Sequence, residues 1–167
     1  PVTLAAGPEG ALYVVDMHRA VIEHPQWVPD ELKRRPDNYH GNDRGRIWRI
    51  VPKDHITAGR ERTSPQLSEV APAALVPLLA HRNAWHREAA ARLIHESGDR
   101  SIVGALETMV AKSDSRLGRI HALWALEGLQ SVSRDLLKRV LADSDPRVVG
   151  QALVLLAGKA REIGVPF

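Results

Sequence analysis

The sequence predicts a mostly α protein, an α-solenoid of three helical hairpins preceded by a short antiparallel β segment. Three observations lead there. Up to about Pro52, apolar residues come in short runs bounded by turn formers, as they do in strands. Beyond about Ser64 they return at helical spacing. Across that second part, a shift of 31 residues lays Leu75 on Leu106 and Leu137, Leu79 on Val110 and Leu141, Ala91 on Ala122 and Leu153, and Leu93 on Trp124 and Leu155. Apolar coincidences at one offset mark a repeat in which each unit hides its apolar face against the next.

The elements follow in order. "GPEGALYVVD" puts turn residues ahead of a strand at 11–16, and "GNDRGRIWRIVP" does the same ahead of a strand at 46–51, where Ile47, Arg49 and Val51 alternate with Trp48 and Ile50. A polar loop from His18 to Arg44, containing Pro25, Pro29 and Pro36, separates them. Two strands alone make no stable sheet in water, so this half requires neighbours. After a linker, helices are expected at 72–81, 84–96, 102–112, 116–128, 133–142 and 146–159. The loops "HRNAWHRE", "KSDSRLGR" and "DSDPRVVG" fall at one phase between the members of each pair. Asp145 before Pro146 reads as an N-cap with proline at the first helical position, and Asp114 or Ser115 suits the same task in the middle pair. Gly98 and Gly158 read as stops.

Composition narrows the function classes. With 44% hydrophobic and 26% charged residues the chain has the make-up of a globular protein, and even "ALVPLLA" falls short of a membrane span. It opens "PVTLAAGPEG", with neither an initiator Met nor a basic segment leading into an apolar one, and so reads as a piece of a longer protein. No cysteine is present, which excludes disulfides, zinc-thiolate sites and covalent c-type haem attachment within these residues. Residues 1–69 balance ten basic against ten acidic side chains, whereas residues 70–167 carry thirteen against ten, the whole net excess of +3. That bias lacks the clustered Lys and Arg of phosphate contacts, so no nucleic acid is expected as a partner. Eight histidines are present, but none pair at HExxH or HxH spacing, and no metal site is expected.

The stretch "DSDPRVVGQALVLLAG" is similar to the HEAT pattern, with Asp143, Pro146, Val148, Ala152 and Leu153 in place and Val149 where an Arg is usual. The first repeat keeps that Arg as Arg87, while the middle one has Gly118 there and His121 in a small-residue slot. The resemblance implies a curved binding or spacer surface. "GPEGALYVVDMHRAVIEHPQWVPDEL" followed by "NDRGRIWRIVP" resembles the closing part of the β-propeller in large membrane-bound dehydrogenases of planctomycetes and related bacteria. In that family a sorbosone or glucose dehydrogenase-like propeller is followed by HEAT repeats and a cytochrome c domain with a CxxCH haem site. Residues 1–52 would then be the C-terminal strands of a propeller, 53–68 a linker and 69–167 HEAT-like helical repeats. The parent would be an oxidoreductase acting on sugar or alcohol-like substrates, exported or periplasmic. It would hold haem c and a quinone outside this segment, and the segment's partners would be the other propeller blades and the cytochrome domain of the same chain. One departure is that His18 stands where the family commonly carries a Tyr. The alternative is a non-enzymatic HEAT-repeat interaction module.

The candidate catalytic residues are His24, Arg19 and Asp16, with Glu23 and Arg44 nearby. At the end of a propeller strand a carboxylate and basic groups can line the central opening, and an imidazole there can serve as a base. A strand-end Asp equally often bonds turn amides and holds a corner, and Asp43 with Arg44 most simply makes the turn before the last strand. In the repeats, Trp85, Arg116 and Arg147 are read as equivalent positions at the starts of the second helices, which usually line the concave face. With Arg87 and Arg119 they would form a mildly basic groove for an acidic protein surface. Trp124 and His121 are read as core by phase, with His121 bonded to a neighbouring loop.

Overall fold

Gly7-Pro8-Glu9-Gly10 turns the chain, the Gly7 amide donating to the Ala11 carbonyl at 2.8 Å and Gly10 adopting φ +87°. In the computed structural model this turn joins β1 (Thr3–Ala6) to β2 (Leu12–Asp16), and β3 (Arg46–Ile50) pairs with the other edge of β2. The result is an antiparallel sheet in the order β1-β2-β3. The structure describes residues 3–19, 21, 24, 26–37, 39–53 and 65–162 and divides into two units, Pro1–Ser64 and Pro65–Phe167. Most of the linker expected at 53–68 lies outside the described residues.

β1 departs from the expected pair of strands. Thr-Leu-Ala-Ala is too short and too rich in alanine to display alternation, and pairing with β2 is what makes it a strand. The expected loop between the other two strands contains one helical turn, α1 (Asp30–Lys33), behind Pro29. Directly opposed pairs put Leu4, Leu12, Val14, Trp48 and Ile50 on one face and Val15 and Ile47 on the other. Both faces leave large apolar side chains uncovered: Leu4 is 60% and Ile50 55% exposed on the first, Ile47 67% on the second.

The second unit is helical. A 3-10 turn, Leu67–Glu69, leads into hairpin one, made of α2 (Pro72–Leu75), a 3-10 turn over Val76–Ala80, and α3 (Ala84–Ser97). Hairpin two begins with a 3-10 turn at Arg100–Ile102 and comprises α4 (Val103–Lys112) and α5 (Arg116–Gly128). Hairpin three is α6 (Arg134–Leu141) and α7 (Pro146–Glu162). The helix expected at 72–81 is interrupted because Pro77 has no amide to donate and crowds the preceding turn. Gly98 ends α3 at φ +62°, as expected. Gly158 does not end α7, which runs on to Glu162; an interior glycine costs a helix only about 1 kcal/mol.

The hairpins stack. Each first helix packs on its own second helix, α4 touches α6, and α3, α5 and α7 touch in series. Between them Leu79, Ile94, Leu106, Leu123, Leu126, Leu136 and Val148 are fully buried. Gly118 permits a close approach here, since a Cβ on it would lie 2.9 Å from that of Ala80 in the preceding hairpin.

The caps correct the repeat spacing. Asn83, Ser115 and Asp145 accept from the amides of Trp85, Gly118 and Arg147. Counted between these caps, the second helices are 32 and then 30 residues apart. A uniform shift of 31 therefore puts them out of register by one residue, although it is right for Leu75 with Leu106 and Leu79 with Val110. The equivalent buried residues are Ala90, Ala122 and Ala152. Trp124, read as core, is 40% exposed; Leu153 is 54% exposed, and in hairpin three Val140 is buried in place of Leu141.

Leu126→Ala should lower unfolding free energy by about 3 kcal/mol, whereas Leu153→Ala should change it by no more than about 0.5 kcal/mol. Urea unfolding followed by circular dichroism measures both. Equal losses would contradict this register.

Candidate functional site

The polar end of β2 is a corner. Asp16 stands directly opposite Arg46 in the sheet. Its carboxylate accepts from the Trp48 indole N–H at 3.2 Å, the His18 amide at 3.0 Å and Arg46 Nε at 3.0 Å. These three donors, the indole foremost, hold its pKa down to about 2. The Arg46 guanidinium also contacts His18 Nδ1 and lies 5.0 Å from the Trp48 ring centre. His18 itself is left-handed, at φ +51°, an unusual conformation for a residue with a side chain. Gly41, at φ +81°, packs against it so closely that a Cβ there would come within 1.9 Å of the His18 carbonyl oxygen.

The other candidates of this loop are not drawn into that cluster. Arg19 is half-buried, with its Nε shielded and without a hydrogen-bond partner. His24 is exposed, and its Nδ1 accepts from the Gln26 amide at 3.2 Å. Arg44 is exposed, 3.9 Å from Asp43. Glu23 lies outside the described residues. Among the described residues none of Arg19, His24 and Arg44 shares a hydrogen bond with Asp16.

The helical unit concentrates its polar contacts at the loops within the hairpins. Arg87, expected on an open basic surface, is instead 9% exposed. Its Nη1 donates to the carbonyls of His81 (2.7 Å) and Arg82 (3.0 Å), and its Nε to His121 Nε2 (3.3 Å). Arg119 repeats the arrangement one hairpin on: Nη1 donates to the Ser113 carbonyl at 2.7 Å, while Nε and Nη2 form a bidentate pair with Asp143 at 2.9 and 3.1 Å. Both side chains of that ion pair are largely buried. In the corrected register it is Arg119, and not Gly118, that is the counterpart of Arg87. His121 is bonded to a helix of the preceding hairpin and not to a loop.

The expected row shifts in the same way. Trp85, Leu117 and Arg147 are the equivalent second residues of α3, α5 and α7, and Arg116 stands one position earlier. Trp85 is half-exposed and meets His86 edge-on at 5.1 Å. Arg116 lies 3.5 Å from Asp145, whereas Arg147 is exposed and has no ion pair within 4.0 Å among the described residues. The Asp145 carboxyl is held below its usual range by the Arg147 amide first and by Arg116 next. Between the α4–α5 and α6–α7 loops runs an open groove of about 1000 Å³, edged by Lys112, Asp114, Arg139 and Ser144. Lys112, Arg139 and the Trp124–Gln151 hydrogen bond (2.8 Å) went unread in the sequence. For Trp124 and Gln151 the advance signal was position, on second helices whose register the caps shift by one residue.

Among known families, the HEAT-repeat model matches residues 72–157, and a model described as a domain of unknown function (DUF7133) matches residues 1–54. No curated protein and no solved structure matches the chain.

Arg119→Ala should destabilise the helical unit by roughly 2 kcal/mol, because it strands the Ser113 carbonyl and removes two of the three hydrogen bonds to the Asp143 carboxylate; Arg147→Ala should cost less than about 0.5 kcal/mol. Thermal unfolding of both variants checks this. Burial first, and the charge of Arg87 next, push the His121 pKa below its ordinary 6.5. The unfolded chain therefore takes up this proton before the native one does. The contribution is complete above about pH 6.5 and is lost as pH falls toward the depressed native value. In His121→Gln that part of the pH dependence should vanish, and parallel stability curves for the two proteins between pH 7.5 and 5 would refute it.

Proposed function

Because the chain belongs to the HEAT-repeat family, we propose that its helical half is a docking and spacer surface within a larger propeller-type dehydrogenase, with the sheet supplying closing strands of the propeller. One contrast carries this reading. The helical unit buries a continuous apolar core of its own and caps its second helices, while the sheet exposes large apolar side chains on both faces. A sheet of that kind is built to lie between two others, as a propeller blade does.

On this reading the parent oxidises a sugar or alcohol-like substrate in an exported setting, and a cytochrome domain and a quinone serve it elsewhere in the chain. With no cysteine, residues 1–167 offer no point for covalent haem attachment. Asp16 is engaged by three donors at the corner, so the reading gives residues 18–44 the task of shaping a blade edge and no proton transfer. The partners are the neighbouring blades and the cytochrome domain, with an acidic protein surface facing Arg147. The self-contained core of residues 65–167 also suits the second reading, a non-enzymatic interaction module.

Separate expression of the two units tests this. Residues 65–167 should unfold cooperatively at the midpoint they show in the whole chain, and residues 1–64 should show no cooperative transition. A monomeric, cooperatively folded 1–64 segment would defeat the propeller assignment. A parent reading frame with neither repeated upstream blades nor a downstream CxxCH would defeat the dehydrogenase and leave the interaction module.

A further inference from the structure

We propose that the groove between the second and third hairpins takes a carboxylate-rich peptide segment, gripped by Lys112 on one wall and Arg139 on the other. The proposal rests on the reading of the helical half as a docking surface and names the chemistry of what docks.

The charges of the groove fall into two layers. In the inner layer Arg119 is held by Asp143 and the Ser113 carbonyl, and Arg116 faces Asp145. The same carboxylates also accept the amides of Asp145 and Arg147, at 2.8 and 2.9 Å. That layer is neutralised and fixed. It offers an incoming ligand a rigid floor and few free acceptors.

The outer layer is unbalanced. Lys112, the last residue of α4, and Arg139, in the last turn of α6, are exposed and have no ion pair within 4.0 Å among the described residues. Asp114 is the one carboxylate edging the groove that is not engaged in this way. The Ser144 hydroxyl stands beside them as a further donor. Two unpaired cations against one carboxylate favour an anionic occupant. A guanidinium suits a carboxylate in bidentate geometry, and an ammonium adapts to a second one along an extended chain. The volume, about 1000 Å³, is at the upper end for small-molecule sites, and the lining is polar, so a peptide fits better than an apolar ligand. Two free cations are too few for a polyphosphate backbone.

The probe is a fluorescein-labelled oligoglutamate titrated with the whole chain and followed by anisotropy. Binding is expected at low ionic strength, weakened about tenfold or more by Arg139→Glu and by Lys112→Glu, and less by Arg139→Gln. Arg134→Glu, an equal change of charge on α6 outside the groove, should leave affinity within about twofold. Because none of these side chains is paired, circular dichroism should show every variant folded. Equal losses with Arg134→Glu would reduce the effect to net charge and overturn the proposal, as would unchanged binding by both groove reversals or no binding by the wild-type chain. Inorganic phosphate that displaces the probe as effectively, per mole, as free oligoglutamate would also overturn it. If residues 65–167 fold alone and the probe still fails to bind, the docking-module reading survives and this groove assignment does not.

Discussion

A guanidinium that closes its own loop while reaching into the next hairpin is the tie on which the helical half depends. Apolar burial holds the hairpins together, but it has no direction and would tolerate sliding. Arg87 and Arg119 remove that freedom. Each donates to a carbonyl six residues upstream, left without a helical partner where the first helix ends, and each also bonds a side chain of the following hairpin. The arrangement depends on these acceptors, because a guanidinium left unpaired at that depth costs several kcal/mol. The slot in hairpin three holds Val149, so the series runs across two junctions.

These ties explain why the repeat was legible and its register was not. Fold class, number of hairpins and most helix ends follow from apolar spacing and from cap residues such as Asn83, Ser115 and Asp145. Apolar spacing cannot place a one-residue change of loop length, because leucine or alanine occupies several adjacent positions in these helices. The caps give the spacing once the middle one is Ser115 and not Asp114, which would have kept 31: 32 residues, then 30. An alignment on caps in place of leucines identifies Arg119 as the partner of Arg87 and turns Trp124 and Leu153 outward. Polar residues with one geometric task carry register better than apolar residues with many interchangeable contacts.

At the sheet the difficulty was of another kind. β2 and β3 announce themselves by alternation and turn residues, but β1 is a strand only because β2 offers it an edge. The polar run that opens at Asp16 admitted two readings, catalytic or structural. What separates them is a contact thirty residues away in sequence, Asp16 with Arg46, together with a left-handed His18 that Gly41 alone accommodates. No local pattern encodes that pairing. It exists because β2 and β3 are in register, and register is a property of the sheet.

Both halves therefore use charge for position. At the corner Asp16 gathers an indole, an amide and a guanidinium; in the hairpins Asp145 caps a helix start, Asp143 holds the turn before it, and both receive the arginines of the preceding hairpin. A carboxylate with two such tasks cannot change without disturbing both, so these inner pairs are poor places for specificity to reside. The charges one layer out, including Lys112, Arg139 and Arg147, have no such obligation. They can vary in kind and sign while the stack beneath them stays the same. In a repeat of this construction recognition belongs to that outer layer, and the buried arginines determine only where it stands.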